Sequence, residues 1–171
     1  MNIKIKKYKY NMSCISQKTA NSFKRILKSN GAVFISDVTF RHQNKQTTVS
    51  NRSINSVVKT IFTEAHSALK SNDLVFCDLS TYNDQKSPHA LGLSFIKSGS
   101  NNLTIEFFDS NGLLLPGLYI DDYFWLNILI RLKNAFKTEY RCKVFEINVN
   151  NLNPKGHCNS WTMFYFCAKL K

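Results

Sequence analysis

Two apolar runs near the middle of the chain are joined by a short stretch of turn-forming residues. The runs are residues 90–97 (ALGLSFIK) and 103–108 (LTIEFF), and the connection reads Ser-Gly-Ser-Asn-Asn. Strand-like runs that flank such a connection are typical of a β-hairpin. An antiparallel pair of strands is therefore the first element that any fold of this chain has to accommodate.

Helical and strand-like patterns surround this hairpin. Apolar residues at helical spacing predict helices over 17–29, 53–70, 120–137 and 159–170. In the last of these, the spacing predicts a buried face made of Trp161, Phe164, Tyr165 and Ala168. Short apolar runs predict further strands over 32–35, 74–79 and 141–147. The order of these elements predicts an α+β fold in a single domain over residues 1–171, with residues 1–15 as a basic arm.

Composition excludes several classes of protein. The chain has 171 residues, of which 43% are apolar, enough for one domain with a substantial core. It contains no run of about 18 apolar residues, so we expect no transmembrane helix, and the basic N-terminus lacks the apolar region of a secretory signal. Five scattered cysteines without a CxxC pair argue against a disulfide framework and a zinc site, and favour an intracellular reducing compartment. We therefore expect no metal and no cofactor.

The positive charge is concentrated in the first seventy residues. They hold 13 Lys and Arg against two acids, which gives +11 of the net charge of +12. At the start of this region Lys4, Lys6, Lys7 and Lys9 alternate with Ile and Tyr, a pattern that could bind DNA or another polyanion through its phosphates and bases. The alternative is a solvated edge strand or a frayed arm, in which the lysines prevent unwanted pairing.

Three polar residues occur where predicted elements begin or end. His89 precedes the first strand of the hairpin, Asp109 follows the second, and Cys158 starts the final helix. Because antiparallel neighbours bring the start of one strand beside the end of the next, His89 and Asp109 should lie close together. A helix N-terminus stabilises a thiolate, and a carboxylate can orient a histidine base. Taken singly, each has a plainer interpretation, as a core cysteine, a surface histidine and a turn-forming aspartate; together they predict a cysteine nucleophile with its base.

The segments around these residues resemble a known superfamily. Residues 88–93 (PHALGL), 108–110 (FDS) and 153–158 (NPKGHC) are similar, in this order, to motifs of the ubiquitin-like-protein-specific proteases. This superfamily includes the adenovirus endopeptidase and maturation proteases of large DNA viruses, and a small viral member is the best match. The resemblance implies a papain-like cysteine protease core, in which a mixed or antiparallel sheet is flanked by helices and the nucleophile begins a buried helix.

The resemblance also assigns roles to individual residues. It implies that Cys158 is the nucleophile, His89 the base and Asp109 the residue that orients it. The oxyanion amide would be Asn153, which stands where the family usually has Gln, and Asn151 is a competing candidate. The family often has Trp directly after the His, where this chain has Ala90, so specificity for a ubiquitin-type tail does not follow.

The function expected on this basis is a thiol peptidase, either an endopeptidase or an isopeptidase, that acts on a protein or polypeptide substrate. Two alternatives remain open, an effector-type acyltransferase that uses the same triad and a non-catalytic basic protein on a degenerate protease fold. The expected location is a host cytoplasm or nucleus, or a virion. The sequence does not indicate an oligomeric state.

Overall fold

The sequence patterns translate into four helices and seven strands in the part of the chain that is described. The protein is represented by a computed structural model, which describes residues 17–43, 46–49, 54–82, 88–109, 122–148 and 158–170. The helices are α1 (Gln17–Ser29), α2 (Ile54–Leu69), α3 (Asp122–Phe136) and α4 (Cys158–Lys169). The strands are β1 (Val33–Phe34), β2 (Val38–Gln43), β3 (Gln46–Val49), β4 (Leu74–Tyr82), β5 (Pro88–Ser98), β6 (Asn102–Asp109) and β7 (Arg141–Asn148). The predicted helices and the predicted hairpin of β5 and β6 are thereby confirmed.

The strands form one mixed sheet. Their order is β3-β2-β4-β5-β6-β7, and β1 pairs with β4 on the edge that β2 also uses. The central strands β4, β5 and β6 are antiparallel, whereas β7 runs parallel to β6, and β1 and β2 run parallel to β4. The α+β fold expected from the sequence is therefore confirmed, with the hairpin at the centre of the sheet.

Helices cover both faces of this sheet. On one face, α2 and α3 pack on alternate residues of the central strands, among them Phe95 and Phe107, which are fully buried. On the other face, α1 and α4 pack on Phe76 and Phe108. The period of two along each strand sends successive side chains to opposite layers, so both faces are apolar. None of the described helices has the length and hydropathy needed to span a membrane.

The strands β2 and β3 were not expected from the sequence. They form a hairpin at one edge of the sheet, where β2 lies beside β4 and β3 lies outside it. Their sequence, VTFRHQ and QTTV, is largely polar and lacks an apolar run. An edge hairpin can be polar because its outer strand has a neighbour on one side only, so hydropathy gives little signal there.

Helix α1 buries only part of the apolar face that the spacing of Phe23, Ile26 and Leu27 predicts. Leu27 is buried, but Phe23 and Ile26 are exposed, at 37% and 54%, and Lys24 is buried. The Lys24 ammonium pairs with Asp37, and its Nζ lies 3.7 Å from Oδ2 of Asp78 on β4. A lysine can be buried when carboxylates compensate its charge, and the hydropathy of the sequence does not reveal such partners.

The predicted buried face of α4 is correct only in part. Tyr165 is buried and Trp161 half-buried, but Phe164 and Ala168 are exposed. The helix instead buries Cys158, Thr162 and Phe166 against the sheet, and Met163 in the apolar cluster shared with α1. The aromatic spacing therefore predicted only part of the buried face, because Thr162 and Phe166 are the side chains that meet β5.

Candidate active site

Cys158 is the first residue of α4 and is buried, with 6% of its surface exposed. The first backbone N–H groups of a helix have no partner within the helix, and the helix dipole adds partial positive charge at this end. Both effects favour the thiolate over the thiol, whereas the burial of Cys158 favours the neutral thiol. A helix start is the position that the resemblance to the proteases gives to the nucleophile.

Contacts between α4 and β5 show which end of the sheet lies nearest to the N-terminus of α4. The Thr162 hydroxyl donates to the backbone oxygen of Ala90 at 3.2 Å. One turn further along α4, the ring of Phe166 lies over Gly92, so close that a Cβ on Gly92 would be 2.9 Å from Cε1. The helix therefore advances in the same direction as β5. Cys158, one turn before Thr162, lies toward the start of β5.

Contacts between α4 and β6 indicate the same orientation of the helix on the sheet. The ring of Tyr165 stacks on that of Phe108 with centroids 4.6 Å apart, and its hydroxyl donates to Oε2 of Glu106 at 2.9 Å. Lys169, one turn later, places its Nζ 2.6 Å from the same oxygen. Burial raises the pKa of Tyr165, so the phenol stays protonated and donates to Glu106. The last turns of α4 lie beside the middle of β6, and its first turn lies toward the end of β6.

The two strands bring the other predicted residues to this end of the sheet. Asp109 is the last residue of β6, is buried with 3% exposure, and is paired with Leu91 of β5. His89 lies two residues before Leu91 and pairs with Thr81 of β4 through its backbone. The His89 side chain is outside what the structure describes. The backbone thus brings the start of β5, the end of β6 and the start of α4 to one end of the sheet.

The predicted oxyanion amides and the basic arm fall outside the described residues. Asn153 and Asn151 belong to the segment that joins β7 to α4, and Lys4, Lys6, Lys7 and Lys9 belong to residues 1–15. The joining segment begins after Asn148, which pairs with Asp109. The chain thus leaves the sheet beside Asp109 and enters α4 at Cys158.

Other cysteines differ from Cys158 in their surroundings. Cys77, on β4, is fully buried, and burial together with the adjacent Asp78 raises the pKa of its thiol well above the ordinary value. Partial burial also raises the pKa of Cys142 on β7. Among the described residues, no cysteine forms a disulfide and no group of three His, Cys, Asp or Glu side chains could hold a metal ion. Neither Cys77 nor Cys142 begins a helix.

Two residues of this region were not singled out from the sequence. Thr162 and Gly92 determine how closely α4 approaches β5. An isolated glycine inside a strand pattern is a known sign of close backbone approach, so Gly92 could have been identified from the run ALGLSF. Thr162 carries a weaker signal, since only its spacing of four residues from Cys158 connects it with the site.

Neither a family model nor a curated protein matches the sequence. Among solved structures, AvrA delL154 with IP6 and CoA aligns over 90% of this chain and 51% of its own, with a TM-score of 0.53 and 9% identity. The Legionella pneumophila effector protein RavZ aligns over 80% and 42%, with a TM-score of 0.51 and 17% identity. The ASFV pS273R protease aligns over 57% and 33%, with a TM-score of 0.43 and 23% identity.

The present chain spans between a third and about half of the length of these solved chains. The fold assignment rests on AvrA and RavZ, whose TM-scores exceed 0.5. The chain therefore shares the fold of these two proteins, a papain-like cysteine protease fold, as its sequence resemblance predicts.

Proposed function

We propose that this protein is a thiol peptidase that hydrolyses a peptide or isopeptide bond of a polypeptide substrate. Cys158 is the nucleophile, His89 the general base and Asp109 the residue that orients the imidazole. Asn153 or Asn151, together with the backbone N–H of Cys158, stabilises the oxyanion. The observation that carries this proposal is the convergence of the start of β5, the end of β6 and the start of α4 at one end of the sheet.

The reaction proceeds in two halves. His89 takes the proton from Cys158, and the sulfur attacks the carbonyl carbon of the scissile bond. The C–N bond then breaks, the amine leaves with the proton from His89, and a thioester remains on Cys158. In the second half His89 takes a proton from water, which attacks the thioester. The C–S bond breaks, the carboxylic acid product leaves, and the proton returns to the thiol.

The burial of Asp109 supports its place in this scheme. Its carboxyl group belongs to a residue that is 3% exposed at the end of a central strand, where water competes little for its hydrogen bonds. A buried carboxylate of this kind can hold an imidazole in one tautomer and stabilise the imidazolium that forms during the reaction.

Hydrolysis of quenched peptide pools and of ubiquitin-like proteins with a C-terminal fluorogenic amide tests the proposal. We expect the wild-type protein to cleave at least one of these substrates, and Cys158→Ala to remove that activity. Cys142→Ala is the matched control, because Cys142 lies on β7 with a thiol whose pKa is raised, and it should leave turnover unchanged. Full turnover by Cys158→Ala would overturn the assignment.

Acyl transfer is the second candidate, and one comparison favours it. AvrA, which shares the fold, is an acetyltransferase whose structure contains CoA. Transfer would begin with attack of Cys158 on the thioester carbonyl of an acyl-CoA and end with attack of a substrate amine on the acyl-cysteine. Incubation with acetyl-CoA distinguishes the two reactions, because CoA release that depends on Cys158 indicates transfer, whereas peptide cleavage without CoA indicates hydrolysis. Inactivity in both assays would favour the non-catalytic alternative.

A further inference from the structure

A buried hydroxyl connects the helix of the proposed nucleophile to the strand of the proposed base. Thr162 is fully buried, lies one turn after Cys158 on α4, and donates from Oγ1 to the backbone oxygen of Ala90 at 3.2 Å. Ala90 directly follows His89 in β5. This hydrogen bond therefore joins Thr162, four residues after Cys158, to Ala90, the residue directly after His89.

This hydrogen bond differs from those that two other helix hydroxyls, on Ser22 and Thr60, make in the described part of the chain. Ser22 on α1 and Thr60 on α2 donate to the carbonyl four residues earlier in their own helix, at 3.1 and 3.0 Å. Such bonds within a helix are the ordinary choice for Ser and Thr. Thr162 instead reaches a carbonyl of another element, and so it fixes the position of α4 relative to β5.

A second contact makes the position of α4 sensitive to this bond. The ring of Phe166 lies so close to Gly92 that a Cβ on this residue would be 2.9 Å from Cε1, and the methyl group of Thr162 would be 3.4 Å from the same Cβ. Densely packed side chains resist compression, so α4 cannot move closer to the sheet at this point. The Thr162 hydrogen bond lies one turn nearer to Cys158, where it opposes rotation or sliding of the start of the helix.

We propose that Thr162 is a positioning residue of the active site, which sets the separation between Cys158 and His89 by holding α4 to the carbonyl of Ala90. The inference rests on the proposed roles of Cys158 and His89. Displacement of a reacting group by about 1 Å can reduce reactivity about 100-fold, so a single bond at this place can matter more for reactivity than for stability. A hydrogen bond that only stabilised the fold would change the melting temperature and leave the alkylation profile of Cys158 unchanged.

The test uses iodoacetamide and measures the alkylation rate of Cys158 against pH, with each cysteine resolved by mass spectrometry. Thr162→Val keeps the shape of the side chain and removes the donor. We expect it to slow alkylation at pH 7 about tenfold or more, and to move the midpoint toward the value of a free cysteine thiol, about 8.5. Thr162→Ser, which retains the hydroxyl, should restore the wild-type profile.

Thr60→Val is the matched control, because it removes a hydroxyl that bonds within its own helix, far along the chain from Cys158. It should leave the Cys158 profile unchanged even if it lowers the melting temperature. A Thr162→Val profile equal to that of the wild type, with a wild-type midpoint well below 8.5, would overturn the role of Thr162 alone. A wild-type midpoint near 8.5 would instead contradict the proposed function, and the role of Thr162 with it.

Discussion

Asp109 pairs with Leu91 across the central hairpin, two residues from His89 along β5. This register brings two residues that are twenty positions apart in sequence to the same end of the sheet. It also places Asp109 beside the point where β7 leaves the sheet toward α4. The hairpin thus carries the proposed base and its carboxylate, and α4 carries the proposed nucleophile.

Substitutions in the triad should affect activity far more than stability. Cys158→Ala and His89→Ala are each expected to abolish turnover, because one removes the nucleophile and the other its base. Asp109→Asn should retain a measurable fraction, since an amide can still orient the imidazole but stabilises its charged form less. Turnover and thermal unfolding of the three variants provide the measurement. A loss of activity that follows a loss of folded protein would contradict this interpretation.

The thiols should differ widely in reactivity toward iodoacetamide. We expect Cys158 to react with a midpoint below about 8.5, because the N-terminus of α4 and an imidazolium both favour its anion. Cys77 should remain unmodified in the folded protein, since burial and Asp78 raise the pKa of its thiol. Cys142 should react slowly because partial burial raises the pKa of its thiol and no helix N-terminus offsets that shift. Unfolding in urea, which removes these differences, is the control; preferential labelling of Cys77 in the folded protein would be inconsistent with this environment.

A side chain at Gly92 should push α4 away from the sheet. The Cβ of Gly92→Ala would lie 2.9 Å from Cε1 and 3.0 Å from Cζ of Phe166, so either the ring or the helix has to move. Overpacking of this kind costs about 1–3 kcal/mol of unfolding free energy. Phe166→Leu should recover part of this loss when combined with Gly92→Ala, because it removes the opposing ring atoms. Urea denaturation measures the loss of unfolding free energy in each variant. If the losses of the two single variants simply add in the double variant, the side chains at positions 92 and 166 do not clash.

The charge cluster beneath α1 should make stability depend on pH. Burial raises the pKa of Asp78 from 3.8 to about 6, although Lys24 opposes the shift. The folded state therefore holds the Asp78 proton more tightly than the unfolded state, and this stabilisation is complete below about pH 4 and lost as the pH rises through about 6. The loss amounts to about 3 kcal/mol at most.

Asp78→Asn should remove this contribution from the dependence of unfolding free energy on pH between 4 and 7. Asp73→Asn is the control, because the Asp73 side chain is 81% exposed and pairs with Lys97 at the surface. Urea denaturation at several pH values measures both. Identical pH profiles for the wild type and Asp78→Asn would refute the assigned burial effect.

The basic N-terminal region is expected to bind polyanions. Helix α1 extends the basic sequence with exposed Lys18, Arg25 and Lys28 and contains no acid. Binding to DNA, measured by fluorescence anisotropy, should weaken with salt by about 0.7–0.9 log units per log unit of salt for each phosphate neutralised. Replacement of Lys4, Lys6, Lys7 and Lys9 by Gln should reduce that slope without changing hydrolysis of a small peptide. Equal DNA binding by the wild type and the four-lysine variant would show that these lysines do not take part in binding. No binding by either protein would show that DNA is not a ligand.

The sequence alone identified the helices, the central hairpin and the polar residues at the ends of elements. These features depend on local periodicity and on short connections, which a chain carries in its own order of residues. The same reasoning missed β2 and β3, because an edge hairpin has few apolar side chains. It also predicted the wrong exposure for Phe164, since the aromatic spacing of α4 does not reveal which side meets the sheet.

Only the tertiary structure decided how α4 approaches β5 and β6. The bond from Thr162 to Ala90 joins residues 72 positions apart, and the contact of Phe166 with Gly92 spans a similar distance along the chain. Lys24 became a buried residue for the same reason, because its carboxylate partners come from other segments. Long-range pairing and steric fit depend on the simultaneous placement of all layers, so neither hydropathy nor spacing in one segment determines them.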